Sequence, residues 1–313
     1  MKVTIVGAGN VGASTAEIIA MQGLGDVYMV DVVEGLAQGK ALDMSQAAPV
    51  LGHSCRIEGG TDYEPAAGSD LVIVTAGVAR KPGMSRDDLL RTNGAIMADV
   101  ATNIWRVAQE AVVIVVSNPL DVTTQIFHEA SGFPTSRVMG MAGVLDSARF
   151  RTFIAWEVGC SPEDVSAMVL GGHGDSMVPL ASQASVSGVP VTQLLSHDAL
   201  ARIVQRTRDG GAEIVGLLKA GSAYYAPAAA VGQMASAILM DEKRLLPVCA
   251  YLNGQYGLRN IFIGVPVKLG RRGVEEIVEV PLRDDELKAL RKSAEHVEAS
   301  VAAWHAMKST QNG

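Results

Sequence analysis

Along the first 140 positions, apolar residues fall in short blocks separated by longer amphipathic stretches. The blocks at 2–6, 27–31, 71–75, 112–116 and 137–140 are only four or five residues long, and most are rich in valine and isoleucine. Blocks that short, apolar on both faces, predict strands covered on both sides. The stretches near 10–22, 35–47, 86–108 and 120–131 carry helical spacing between them. Alternation of this kind predicts an α/β fold, a doubly wound parallel sheet whose ligand sits outside the carboxyl ends of the strands. The residues at those ends are Gly7, Asp31, Thr75-Ala76-Gly77 and Ser117-Asn118, which are expected to meet in one crevice.

Beyond about residue 145 the pattern changes. A helix over 145–158 leads to a strand at 165–170 and the polar run Gly171-Gly172-His173-Gly174-Asp175. Helices follow near 197–218 and 227–242. Apolar runs at 248–252, 261–269 and 274–280, broken by Asn253-Gly254 and Gly270-Arg271-Arg272-Gly273, then read as an antiparallel meander. A last helix starts near Asp284 with an acidic first turn and an apolar stripe through Leu287, Leu290, Ala294, Val297, Val301 and Trp304. The stripe serves the core or a subunit interface, and the tail 308–313 is expected to fray. The chain therefore divides into a nucleotide-binding domain, 1–144, and an α+β substrate and oligomerisation domain, 145–313. With 313 residues, 48% of them hydrophobic, it can bury a core for both.

A net charge of −7 argues against nucleic acid and acidic membrane surfaces as partners. No apolar run is long enough for a membrane span, and no basic leader precedes the first strand, so a cytoplasmic protein is expected. Cys55, Cys160 and Cys249 are too few and too scattered for a disulfide framework or a zinc site, and no metal is expected.

The first turn reads Gly7-Ala8-Gly9-Asn10-Val11-Gly12 between a strand and a helix. In that context Gly7 permits the turn, Gly9 lets a pyrophosphate approach, and Gly12 lets the helix pack on the strand. The amide groups at the helix start face the phosphates. Asp31 ends the second strand, about 20 residues on, where a carboxylate bonds ribose hydroxyls and repels a 2′-phosphate. NAD is therefore favoured over NADP. Gly35 to Ala41 imitates a phosphate loop, but it is one residue short and lacks the magnesium-binding hydroxyl, so it is set aside.

Candidate charges follow. The segment Arg80-Lys81-Pro82-Gly83-Met84-Ser85-Arg86 lies after the third crevice strand, with Ser85 placed to cap the next helix, and such a loop can close over substrate. Taken alone it also reads as a solvated basic loop. Asp146 and Arg149, three apart on a helix, share a face; alone they are a surface pair worth under about 0.5 kcal/mol. His173 stands between glycines after a strand, a setting for a site residue. His53, His128, His197, His296 and His305 are expected at the surface.

The order and spacing of these motifs resemble the lactate/malate dehydrogenase family over essentially the whole chain. The matching pieces are residues 7–12, 75–77 and 80–86, with Asn118-Pro119-Leu120-Asp121, Leu145-Asp146-Ser147-Ala148-Arg149 and Gly172-His173-Gly174-Asp175. Gly221 to Pro227 is similar to the subgroup of malate dehydrogenases built on the lactate dehydrogenase plan. The resemblance implies a Rossmann-type first domain and reversible, NAD-dependent oxidation of (S)-malate to oxaloacetate, a step of the tricarboxylic acid cycle. It implies His173 as proton acceptor and donor, with Asp146 orienting its ring. It also implies Arg149 on the C1 carboxylate, Arg86 on the C2 oxygen and Arg80 on the distal C4 carboxylate. By the same resemblance Asn118 is expected to bond the substrate oxygen, before a cis proline, and Asn93 to join Gly7, Ala8, Gly9, Asn10, Val11, Gly12, Asp31, Thr75, Ala76, Gly77, Ser117 and Asn118 as a cofactor contact. A homo-oligomer is implied, a tetramer before a dimer, with the helical stretches 227–240 and 287–304 as candidate interfaces.

Position 80 bears on the substrate. Lactate dehydrogenases usually carry an uncharged residue there, and a cation closed over a methyl group loses water without gaining a partner. A lactate or other 2-hydroxyacid dehydrogenase is the alternative enzyme. A non-catalytic NAD-binding sensor is the alternative of another class.

Overall fold

The computed structural model describes residues 1–79, 84–219 and 221–311. Six short strands lie parallel: β1 (Lys2–Val6), β2 (Asp26–Val30), β3 (Ile57–Gly60), β4 (Leu71–Val74), β5 (Val112–Val115) and β6 (Val138–Gly140). Their order, β3-β2-β1-β4-β5-β6, reverses direction between β1 and β4. That reversal opens the crevice expected at a switch point. β1, β4 and β5 are almost wholly buried because helices cover both faces. The helices of this half are α1 (Asn10–Met21), α2 (Leu36–Leu51), α3 (Arg86–Val107) and α4 (Leu120–Ala130). α3 starts where expected: the Ser85 hydroxyl accepts the Asp88 N–H at 3.0 Å, and Asp88 answers on the Ser85 N–H.

The second half supplies α5 (Gly143–Val158), then the two-residue strands β7 (Val165–Ser166), β8 (Val169–Leu170), β9 (Val178–Pro179), β10 (Ser185–Val186) and β11 (Val189–Pro190). There follow α6 (Val191–Leu194), α7 (His197–Leu218), α8 (Tyr225–Leu239), β12 (Arg244–Asn253), β13 (Arg259–Gly270), β14 (Gly273–Ile277) and α9 (Asp284–Gln311). The meander forms as the two turn signals require, each strand antiparallel to the next. It does not stand apart. β12 pairs with β6 through Cys249 and Gly140, so one nine-stranded sheet runs through both halves.

Several expectations need correction. β3 was not anticipated, because Ile57-Glu58-Gly59-Gly60 has a single large apolar residue; it holds as a sheet edge where the Ala37 backbone fills the place of a Gly59 side chain. The strand expected at 165–170 divides, since β7 pairs with β10 and β8 with β9. Of the two places expected for the α9 stripe, core or interface, it takes the core, and much of α8 goes there too. Val231, Met234, Ala235 and Ile238 are buried, and Gly232 lets α8 approach Ile18 of α1; Leu290, Ala294, Val297 and Trp304 are buried with them in the main core. α9 is helical to Gln311, past Lys308 where the tail was expected to fray, and residues 312–313 of that tail lie outside the described residues. His128 is not at the surface either: its half-buried ring stacks on Tyr251 and tilts against Phe262, and burial pushes its pKa down. His53 is also partly buried. No helix among the described residues is long and apolar enough to cross a membrane.

Candidate active site

The crevice is built first from backbone. Gly7 has φ +104°, outside the range of most side chains, and its N–H donates to Val30 O at 2.7 Å. A side chain at Gly12 would overlap the Gly7 carbonyl oxygen, so only glycine lets α1 begin this close to β1. A Cβ at Gly9 would meet nothing within 4 Å, and no side chain caps the first turn of α1. The amide groups at that helix start are therefore left open to an anion. Asp31 stands beside them. Its Oδ2 accepts the Ala8 N–H at 2.7 Å and its Oδ1 the Val33 N–H at 3.0 Å, which aims the carboxylate across the mouth of the turn.

The remaining crevice residues are tied to one another. The Thr75 hydroxyl donates to Gly7 O at 2.9 Å and the Ser117 hydroxyl to Ala76 O at 2.6 Å. Gly77, at φ +153°, is exposed, as is Asn118, whose bond to Pro119 is cis. Asn93 sits behind them, 2% exposed, with its amide spent on Val78 N–H, Val78 O and Asn118 O. It braces the crevice from within. Lys40, set aside with the false phosphate loop, donates to Ala8 O at 2.7 Å. Asp31 and Lys40 thus grip one residue of the glycine-rich turn, Ala8, at its N–H and its carbonyl oxygen, and the Lys40 contact has no signal in sequence spacing.

At the inner end of the crevice the structure brings Asp146, Arg149 and His173 together. Asp146 and Arg149 lie one turn apart on α5. Gly171, at φ +86°, turns the chain after β8, and its N–H donates to Gly264 O at 2.9 Å, fixing the His173 loop on β13. His173 Nδ1 meets Asp146 Oδ2 at 2.8 Å, while Arg149 Nη1 donates to Asp146 Oδ1 at 3.1 Å. This is no surface pair: the side chains of Asp146, Arg149 and His173 are 2%, 12% and 15% exposed. A carboxylate only accepts, so Nδ1 carries the proton and Nε2 faces away with its lone pair. Arg149 lies along α7, where a Cβ at Gly210 would sit 3.1 Å from its Cδ.

Burial opposes charge on His173, but the Asp146 charge and hydrogen bond outweigh it; Arg149 pulls down and Asp121 up, and the net pKa is raised. Further along the loop, Asp175 Oδ2 accepts from Arg86 Nη2 at 3.2 Å. Both side chains are more than four-fifths exposed, so water screens the pair and leaves Arg86 free to exchange partners. Arg80 lies outside the described residues. Two supports were missed at the level of sequence. Asp121 accepts the His173 N–H, and Ser293 of α9 accepts the Gly172 N–H at 2.9 Å.

Two family models span nearly the whole chain: lactate/malate dehydrogenase, NAD binding domain, over residues 1–140, and lactate/malate dehydrogenase, alpha/beta C-terminal domain, over residues 143–307. The chain belongs to the lactate/malate dehydrogenase family. Its first half is that family's NAD-binding domain. Among its relatives, a malate dehydrogenase of Roseiflexus sp. (strain RS-1) is 53% identical over 306 residues, covering 98% of this chain and 99% of that protein. The crystal structure of malate dehydrogenase from Salinibacter ruber superposes with a TM-score of 0.96 at 49% identity, covering 99% and 100% of the two chains. A lactate dehydrogenase from Cryptosporidium parvum, complexed with lactic acid and the dinucleotide, matches at TM-score 0.94 and 41% identity over 97% and 98%. Backbone likeness at this level is shared by both activities, so the side chains must distinguish them.

Proposed function

We propose that the chain is an NAD-dependent malate dehydrogenase that interconverts (S)-malate and oxaloacetate. The observation that carries this reading is the Asp146–His173 pair beside Arg149, under a crevice shaped for a dinucleotide. The open helix start at Gly9 and Asn10 would take the pyrophosphate, and Asp31 the adenosine ribose. A 2′-phosphate there would meet like charge, which favours NAD.

When bound, the dinucleotide would supply the hydride acceptor for C2 of malate and, reduced, the hydride donor for the carbonyl of oxaloacetate. His173 Nε2 takes the proton of the C2 hydroxyl in one direction and gives it to the carbonyl oxygen in the other. Asp146 keeps the proton on Nδ1 and stabilises the imidazolium. Arg149 holds the C1 carboxylate through two parallel hydrogen bonds that its planar fork supplies. Arg86, released from Asp175, polarises the C2 carbonyl, and Asn118 bonds the same oxygen. Arg80 is the group for the C4 carboxylate.

Several features support wider readings of the protein. Trp156, Tyr225 and Leu217 are 63%, 73% and 75% exposed, an amount of bare apolar surface that suits a homo-oligomer, with a tetramer favoured. Light scattering measures that state. Cys55, Cys160 and Cys249 are all free, which suits a reducing cytoplasm, where the reaction serves the tricarboxylic acid cycle.

The test is steady-state NADH oxidation with oxaloacetate and with pyruvate, for the wild type and Arg80→Gln. An unpaired buried cation costs roughly 2–5 kcal/mol, and about 1.4 kcal/mol is a factor of ten. The wild type should therefore prefer oxaloacetate by well over an order of magnitude, and the variant should lose oxaloacetate turnover far more than pyruvate turnover. Equal losses on both substrates would refute the specificity role of Arg80. A wild type that prefers pyruvate would favour the lactate reading.

A further inference from the structure

Asp121 is a buried carboxylate that the proton transfer described above does not use. It lies in the first turn of α4 and is 6% exposed. Its Oδ2 accepts the main-chain N–H of His173 at 2.8 Å. The Cys249 thiol is the carboxyl's other neighbour, and Oδ1 is buried with no nitrogen or oxygen donor among the described residues. A carboxylate so placed costs folding free energy unless something nearby requires it.

The surroundings are arranged for a negative charge. The first turn of α4 presents free N–H groups and the positive end of the helix dipole. Gly172 has no side chain, and a Cβ there would lie 3.4 Å from Asp121 Oδ2 and 2.9 Å from Val297. The glycine thus lets the loop settle onto the carboxylate. His173 is consequently gripped twice, at ring Nδ1 by Asp146 of α5 and at main-chain N by Asp121 of α4.

We propose that Asp121 is a positioning residue of the acid–base centre, a buried negative charge that holds His173 through its main chain and supports its imidazolium, as Asp146 does through the ring. The inference rests on His173 being the group that exchanges the proton, the reading given above. The charged groups facing His173 are Asp146 and Arg149 from α5 and Asp121 from α4, with the Arg86–Asp175 pair beyond them on α3 and the same loop. Asp121 is itself faced by Cys249 of β12, whose thiol burial and the Asp121 charge push well up, so that side stays neutral. Ser176 and Ser293, hydrogen-bonded to each other at 2.9 Å, add no charge. Burial pushes the Asp121 carboxyl up while the His173 N–H and imidazolium pull it back. An ionised Asp121 adds to the field that keeps His173 protonated.

The test is a titration of the His173 imidazole by NMR, on the full chain without substrate or cofactor, paired with the pH profile of oxaloacetate reduction. Asp121→Asn is isosteric and keeps an oxygen for the His173 N–H while removing the charge. Its midpoint should fall by about one pH unit, and reduction above the midpoint should fall about tenfold. Asp121→Glu, which keeps the charge, serves as the second variant and should hold the midpoint near that of the wild type. Ser293→Ala loosens the same loop without touching charge and should leave the midpoint in place. An unchanged midpoint in Asp121→Asn, or an equal fall in all three variants, overturns the proposal. Because the titration reads His173 without any substrate, it stands even if the malate reading fails in the kinetic assay.

Discussion

Asp146 divides its two oxygens between different partners, Oδ2 to His173 and Oδ1 to Arg149. One buried side chain therefore sets both the imidazole and the guanidinium, the two groups proposed to exchange the proton and to hold the C1 carboxylate. Arg149→Lys keeps the charge but loses the fork. Hydrogen bonds to charged groups are worth about 1.5–3 kcal/mol, so kcat/KM for oxaloacetate should fall roughly tenfold to a hundredfold. Steady-state kinetics beside NADH binding would check this; a variant within twofold of the wild type would remove the clamp from the account. Of these residues, His173 was legible because its glycine neighbours disfavour a place in a regular element. Asp146 and Arg149 were legible as a pair by their spacing on a helix. Asp121 was not, since an aspartate in the first turn of a helix has the same local signature whether it caps, pairs or supports another loop. Lys40 was hidden for a related reason: its partner is a backbone oxygen 32 positions away, and no residue type marks that.

Among the elements, α1 shows how closely the cofactor crevice depends on absent atoms. Its Gly12 faces the Gly7 carbonyl, a backbone group that cannot swing aside. Gly12→Ala raises helix propensity by up to about 1 kcal/mol, yet overpacking against fixed backbone costs about 1–3 kcal/mol. The variant should melt below the wild type and bind NADH more weakly, by thermal unfolding and fluorescence titration. A higher melting temperature with unchanged NADH affinity would mean that α1 does not pack on the turn as described. Elements with a strong period were readable, as the capped start of α3 and the full span of α7 demonstrate. Weak ones were not. β3 carries too little apolar surface to stand out, and β7 and β8 looked continuous because pairing with different partners is decided by chain returning from positions 178–186.

At the scale of the molecule, a sheet of nine strands carries the crevice and the proton-transfer centre on one frame. β12 joins β6 through one residue pair, and the His173 loop hangs from β13 by Gly171 and Gly264. That join was out of reach of the sequence pattern, which marks where strands lie but not which distant edges meet. The sheet fixes the distance between dinucleotide crevice and histidine, and the same frame must serve both directions of the reaction. A net charge of −7 gives no general attraction for a dicarboxylate, so the local arginines must supply it. In the proposed reaction the imidazolium is the proton donor in reduction and the neutral ring the acceptor in oxidation. Since Asp146 leaves the His173 pKa above its ordinary value despite burial, the donor form persists to higher pH than for a free histidine. The most direct measurement is kcat/KM against pH for both directions on one preparation. The account predicts that oxaloacetate reduction falls and malate oxidation rises through a common midpoint above 6.5, the ordinary histidine value. Parallel pH dependence in the two directions, or a midpoint unmoved in His173→Asn, would contradict it.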